Sequence, residues 1–191
     1  MLIGNILYFS PNYRFTQIDW DNKEELIKAF EDRVNGFYLD PAEKLNCIKT
    51  AFATGVMCVA AIDSLARIET GLKEVRKRFE GWLKSHISAF DKPDPKNSSQ
   101  TLAYRFYDDF RNGLLHEGRI KHCSQFSYHY KDIVFIKKEV MLINPENLLK
   151  DVKKVFGEYI LNVKTSHEAF GKLKEALKRD FQEDVEYAKR K

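Results

Sequence analysis

The chain has 191 residues, of which 43% are hydrophobic, 13% aromatic and 31% charged. This share of apolar side chains excludes an intrinsically disordered chain and is large enough for a folded domain with a real core. The formal net charge of +4 permits a nucleic-acid partner but is too small to indicate a dedicated nucleic-acid-binding protein. We therefore predict a single domain over residues 1–191.

The cysteines and the N-terminal segment favour a cytoplasmic protein without a membrane segment. Cys47, Cys58 and Cys123 contain no C-x-x-C pair, and we expect reduced thiols, two of them packed in an apolar helix. Residues 1–20 lack the features of a signal peptide and suit a short strand and a turn. The longest uncharged apolar run in a helix, 51–62, is much shorter than the roughly 20 residues that span a bilayer.

Periodic apolar residues predict three helices in the first half of the chain. The first covers about 21–36 and the second about 41–70. The second is apolar on every side through its middle, so we place it at the centre of a bundle. The third covers about 72–90, and the following residues 91–100, with two prolines, are predicted to be a loop.

Five basic side chains share the outward side of the predicted third helix. They are Lys73, Arg76, Lys77, Arg78 and Lys84. Such a face can hold an RNA backbone, but a run of charges on a helix is usually only solvated, and we favour that interpretation.

Asp63 follows the apolar run of the second helix, where a carboxylate must reach either solvent or a partner. One interpretation is that Asp63 receives Arg111 and fixes its orientation. The other is that Asp63 lies where the helix emerges and contacts only water or Arg67, four residues on. We favour the second interpretation.

The strongest functional signal lies in residues 101–120. Apolar residues recur there every four positions and predict an amphipathic helix with a buried stripe: Leu102, Phe106, Phe110 and Leu114. Towards the end of this helix the sequence reads Arg111-Asn112-Gly113-Leu114-Leu115-His116. An arginine suits a phosphate, and a histidine near it can exchange a proton close to neutral pH.

This R-N-x-x-x-H run resembles the signature of the HEPN superfamily, small helical domains many of which are metal-independent ribonucleases. The resemblance implies a mainly α, HEPN-like helical bundle that binds RNA and cleaves it without a metal. It also implies a homodimer in which the arginine and histidine of both chains line one cleft. Arg111 would then stabilise the phosphate, His116 transfer the proton and Asn112 orient the site.

The resemblance leaves other functions open. A non-catalytic HEPN-like module would bind a nucleotide, an RNA or a protein partner. In the toxin subset of the family a tyrosine lies two residues after the histidine, where this chain has Gly118. Regulation through that tyrosine is therefore not expected here, and a toxin–antitoxin or defence-related role is one alternative beside RNA processing.

Helical geometry raises a difficulty for the site. Five residues of a regular α-helix rotate by about 140°, so Arg111 and His116 would not share a face. Gly113 can relieve this by permitting a local bulge, and a dimer would supply a second histidine. The competing interpretation is that Arg111 pairs with Asp108 and that His116 is an exposed helix-end residue.

Residues near the motif extend the candidate site. Asp108 continues the polar row, and Arg119 and Lys121 follow the motif, so we assign these three to substrate binding. We predict no metal and no cofactor. The potential ligands His122, Cys123 and His129 match no familiar spacing, and no second cysteine pair exists.

The remaining chain combines a β insertion with helices. In residues 121–144 the helical period gives way to alternating aromatic and polar residues and to short β-branched or apolar runs. These patterns predict two or three antiparallel strands near 126–130, 133–136 and 140–143. The fold class is thus mainly α, with a small antiparallel β hairpin or meander after the motif helix. Residues 145–191 return to helical periodicity as C-terminal helices.

Three helix starts carry capping residues. Asp21 or Asn22 can cap the first helix. Asn144 precedes a proline and an acid at the first C-terminal helix. Thr165 with Glu168 reads as a capping box for the last helix.

Overall fold

Helices form most of the computed structural model, which describes residues 1–190. Helix α1 (Lys23–Val34) continues through a first π-helical segment (Asn35–Leu39) into α2 (Asp40–Cys47). Helices α3 (Ala51–Thr70) and α4 (Val75–His86) follow. The mainly α fold class predicted from the sequence is confirmed.

The second half begins with the motif helix. Helix α5 (Leu102–Phe106) runs directly into a second π-helical segment (Tyr107–Glu117), which we call the π segment. Two long helices, α6 (Pro145–Thr165) and α7 (His167–Lys189), complete the chain. Lys191, the last residue of the predicted C-terminal helical region, lies outside the described residues.

Two short hairpins precede the motif helix in the chain. Strands β1 (Leu2–Ile3) and β2 (Ile6–Leu7) pair within the region where a strand and a turn are expected. Strands β3 (Pro93–Asp94) and β4 (Asn97–Thr101) form a second antiparallel pair. The prediction of a loop over 91–100 is wrong, because the turn after Asp94 lets these residues pair before α5 begins.

A small sheet follows the π segment. Strands β6 (Val134–Lys137) and β7 (Val140–Ile143) form the antiparallel hairpin that the sequence predicts. Strand β5 (Gln125–Phe126) joins the other edge of β7, but it runs parallel to β7 rather than antiparallel. This difference arises because β7 lies between β5 and β6 in the sheet, so the chain reverses direction twice before β7 pairs with β5.

Helix α3 is the central element of the helical bundle. It packs against α2, α4, α6 and α7, as expected for a helix that is apolar on every side. Gly55 lets the ring of Phe126 lie directly against the α3 backbone, which docks the small sheet onto the bundle. By length and composition α3 could cross a membrane, but half of its apolar window is buried in the core, as in core helices that pass the same test.

The predicted first and second helices differ from the structure. The predicted helix 41–70 is broken between α2 and α3, where Lys49 adopts a left-handed φ of 55°. Gly36 does not end the first helix, because the first π segment carries the backbone hydrogen bonding through it. The chain therefore has one long irregular helical run before α3.

Helix α4 also departs from expectation. It begins at Val75 rather than Leu72, whose side chain is exposed. Arg78, predicted to point outward with the other basic residues, is instead buried with 8% exposure. A carboxylate on α3 explains this inward position, as described below.

The capping predictions hold at two of three helix starts. The side chain of Asn22 accepts a hydrogen bond from the backbone NH of Glu25, at 3.1 Å. Asn144 caps α6 by accepting from the NH groups of Glu146 and Asn147. The predicted Thr165 cap is wrong, because Ser166 caps α7 and the hydroxyl of Thr165 donates back into α6.

The three free cysteines differ in accessibility. Cys58 is fully buried in α3, whereas Cys47 and Cys123 are exposed. The expectation that Cys47 is packed is therefore wrong, because it ends α2 at the surface. Burial raises the pKa of the Cys58 thiol to about 12, so the reactive thiolate is scarce at neutral pH.

Titration of native protein with a thiol reagent should modify Cys47 and Cys123 but spare Cys58, and all three should react after denaturation. Peptide mass mapping identifies the modified positions. Rapid modification of Cys58 in the folded protein would contradict the packing of α3.

Candidate functional site

The backbone hydrogen bonding of the π segment brings the motif residues together. A π-helix bonds each NH to the carbonyl five residues earlier, so residues five apart face the same side. Arg111 and His116 are separated by five positions and lie within this segment. The sequence allowed only a local bulge at Gly113, whereas the structure has π geometry over the whole segment from 107 to 117.

The end of the π segment is fixed by Gly118, which has a left-handed backbone conformation, and by backbone hydrogen bonds from the residues that follow it. Gly118 has a φ of 66°, and its NH bonds to the carbonyl of Gly113. The NH groups of Arg119 and Lys121 then bond to the carbonyls of Gly113 and Asp109. A Cβ at Gly113 would press against the Arg119 carbonyl oxygen and lie 3.2 Å from a side-chain carbon of Lys121. Gly113 is thus required by this close approach.

The guanidinium of Arg111 is the centre of the candidate site. Its Nη2 donates to Oδ2 of Asp63 at 2.9 Å. Its Nη1 lies 3.5 Å from Oδ1 of Asn112 and 3.5 Å from Nε2 of His116. We call Asp63, Arg111, Asn112 and His116 together the Arg111 site.

The contact with Arg111 favours one tautomer of His116. A guanidinium has no acceptor, so Nε2 of His116 must accept in this hydrogen bond and the neutral ring carries its proton on Nδ1. His116 is exposed to solvent, whereas the side chain of Arg111 is only 11% exposed. The site therefore combines an accessible histidine with a shielded arginine.

Asp63 is not an isolated carboxylate at the surface. It pairs with Arg111 from the π segment and with Arg78 from α4, at 3.3 Å between Oδ1 and Nη2. The favoured interpretation, in which Asp63 contacts only water or Arg67, is wrong. The alternative interpretation, in which Asp63 receives Arg111, is confirmed, and Arg111 does not pair with Asp108.

The three predicted substrate-binding residues form a separate surface network. Lys121 contacts Asp108 and Glu117, both at 3.2 Å, and Arg119 contacts Glu117 at 2.7 Å. Hydrogen bonding to Asp108 raises the pKa of Lys121, and the hydrogen bond from Lys121 lowers the pKa of Glu117. Within residues 1–190 no hydrogen bond or ion pair joins this network to the Arg111 site.

A buried ion-pair network, which we call the Arg105 network, lies on another side of the motif helix and was not predicted. Arg105 contacts Asp109 at 3.2 Å and Asp94 at 3.3 Å, and it donates to the carbonyl of Glu139. Asp109 also accepts from Ser124 at 2.6 Å. The network joins the motif helix to both β regions. The sequence has an aspartate at both 108 and 109, and nothing in it indicates that only Asp109 is buried.

Asp108, Asp109 and His122 bring potential metal-ligand atoms within 4.8 Å of one another. The arrangement is better explained without a cation. Nδ1 of His122 lies 2.7 Å from Oδ1 of Asp109 as a hydrogen-bond partner, and the ammonium of Lys121 already contacts Asp108. Both contacts oppose a metal ion at this position.

An open groove of about 320 Å³ adjoins the Arg111 site. Asp63 and Arg78 lie on its wall, and Leu114 and Leu115 from the π segment contribute apolar surface. The exposed fraction of Leu115 is 60%, so its side chain is available for contact. The groove offers charge and apolar surface side by side.

Comparison with protein-family models, with curated proteins and with solved structures finds no match to this chain. The geometry of the Arg111 site therefore carries the functional argument.

Replacing Gly113 by alanine should destabilise the fold by about 1 to 3 kcal/mol, because the new Cβ meets the Arg119 carbonyl. Intrinsic helix propensity predicts the opposite sign, since alanine is the better helix former by about 1 kcal/mol. Thermal unfolding of Gly113→Ala measures the difference. Gly157→Ala is the control, because nothing lies within 4 Å of a Cβ there, and it should not lower the melting temperature.

Replacing Asp109 by alanine should lower the free energy of unfolding by about 3 to 5 kcal/mol, because it removes a buried partner of Arg105. Chemical denaturation measures the loss. The neighbouring variant Asp108→Ala removes a carboxylate from the surface network and should change stability little. Equal effects of the two variants would contradict the buried position of Asp109.

Proposed function

We propose that this chain is a HEPN-like RNA-binding protein and a metal-independent endoribonuclease of the cytoplasm. The observation that carries the proposal is the contact between Arg111 and His116, which π geometry creates. A phosphate-binding cation thus lies next to a group that can exchange a proton. Homodimer formation and a toxin–antitoxin or defence-related role belong to the same proposal and rest on the resemblance of the R-N-x-x-x-H run.

The tautomer of His116 suits the first step of cleavage. Nε2 carries a lone pair that points at Arg111 in the free protein. When a phosphate draws the Arg111 guanidinium towards itself, that lone pair becomes available to accept the proton of the 2'-hydroxyl. The 2'-oxygen then attacks the phosphorus, and Arg111 stabilises the charge that develops on the phosphoryl oxygens.

The second step requires an acid for the departing 5'-oxygen. The Arg111 site holds one histidine per chain, and that histidine has already accepted a proton in the first step. In the proposed homodimer the histidine of a second copy, in its protonated form, gives a proton to the 5'-oxygen. Asn112 lies beside the Arg111 guanidinium and orients it during both steps.

A non-catalytic binding module is the second candidate. The observation that favours it is the ion pair with Asp63, which already occupies one side of the Arg111 guanidinium and shields it from solvent. A module of this kind would hold a nucleotide, an RNA or a protein partner without cutting it. His116 facing Arg111, rather than away from it, favours the enzyme.

The test is cleavage of a mixed pool of labelled RNAs by the purified protein in EDTA. Wild type should cut the pool, and His116→Ala should lower the rate by about a hundredfold or more, because general acid–base catalysis contributes that much. His167→Ala is the matched control, since it removes an exposed histidine at the start of α7. Circular dichroism verifies that each variant is folded.

Three results separate the candidates. Cutting that persists in His116→Ala would contradict proton transfer at this residue. A folded wild type that retains RNA in a salt-sensitive manner without cutting it would support the binding module. A protein that neither cuts nor retains RNA would reject both candidates.

A further inference from the structure

Two arginines from different elements share one carboxylate. Arg78 of α4 and Arg111 of the π segment each donate to a different oxygen of Asp63 on α3. Among the described residues, Asp63 is the only carboxylate within ion-pair distance of either arginine. Because guanidinium groups keep their protons in proteins, the three side chains together carry an excess of one positive charge.

This excess charge is buried. Counted over the whole residue, backbone included, Arg78 and Arg111 are 8% and 9% exposed. The Nε atoms of both arginines are buried and have no hydrogen-bond partner. A buried donor without a partner and an excess buried charge both cost free energy, so a negative charge placed beside the two arginines would stabilise the cluster.

Two members of the cluster face the groove beside it. Asp63, with a side-chain exposure of 20%, and Arg78 lie on the groove wall. Leu114 and Leu115 supply apolar surface at the same opening. Charge next to apolar surface suits a phosphate whose attached ribose and base also need cover.

We propose that Arg78 acts with Arg111 as a two-arginine clamp for one phosphodiester group of RNA, and that Asp63 is the counterion the two arginines share in the free protein. This inference rests on the proposed function and adds to it a binding residue outside the motif. A phosphodiester carries one negative charge and matches the excess of one positive charge. Asp63 keeps its two contacts, and the phosphate takes guanidinium donors other than the two that Asp63 holds.

The test is binding of a fluorescent 2'-O-methyl RNA oligonucleotide, measured by anisotropy over a range of salt concentrations. This probe has no 2'-hydroxyl proton, so binding is read without cleavage. Arg78→Gln should weaken binding about tenfold and lower the salt slope by about 0.7, the value for one phosphate contact on a single strand. Asp63→Asn should strengthen binding severalfold, because it removes the competing negative charge.

Two further variants separate the clamp from a structural effect. Lys77→Gln removes a positive charge from the same helix at an exposed position and should leave binding almost unchanged. Arg78→Lys keeps the charge and should retain the salt slope while losing part of the affinity. If Arg78→Gln fails to fold, this variant tests whether Arg78 contacts the phosphate. A purely structural role predicts that Asp63→Asn weakens binding, in the same direction as Arg78→Gln.

The clamp and the nuclease can fail separately. Wild type that does not bind the oligonucleotide, or an Arg78→Gln variant that binds it as tightly as wild type, would overturn the clamp. Opposite shifts in Arg78→Gln and Asp63→Asn, in a protein that cuts no RNA, would support the clamp and reject the nuclease.

Discussion

The π hydrogen bonding of residues 107–117 is the constraint on which the candidate site depends. In an α-helix the bonded carbonyl is four residues back, and Arg111 would lie far round the helix from His116. The shift to five residues puts both side chains on one face. Such a helix is rare because its backbone is less favourable, so surrounding contacts must hold it. Phe110, packed between Phe106 and Phe126, and the returning backbone at Gly113 supply those contacts.

Two clusters of charged side chains contact the motif helix, the Arg105 network and the Arg111 site, and they differ in how their groups are paired. The Arg105 network joins it to the β regions through buried, mutually paired groups, which suits a structural role. At the Arg111 site the pairing is incomplete, because Arg78 and Arg111 share Asp63 and keep donors without partners. All three nitrogens of Arg105 have hydrogen-bond partners, whereas the Nε atoms of Arg78 and Arg111 have none. We therefore propose an anion site only at the second cluster.

The sequence predicts those features that have a local cause. The apolar character of α3 and the capping side chain of Asn144 were predicted correctly because each depends on its neighbours in the chain. The π geometry was not, since an apolar repeat of four residues fits both helix types. The hairpin turn at Lys138 and Glu139 has left-handed backbone without glycine, and the hairpin was predicted from the charged residues that separate its two apolar runs. The partners of Asp63 depend on tertiary packing, and periodicity contains no information about them.

The central claim is that π geometry holds Nε2 of His116 as an acceptor for Arg111. The most direct measurement is a long-range ¹H–¹⁵N spectrum of the histidine side chains in mildly alkaline solution, with His116 assigned by comparison with His116→Gln. The account predicts that neutral His116 carries its proton on Nδ1 and that Arg111→Gln reduces this preference. A His116 ring protonated on Nε2 in the wild-type protein would contradict the account.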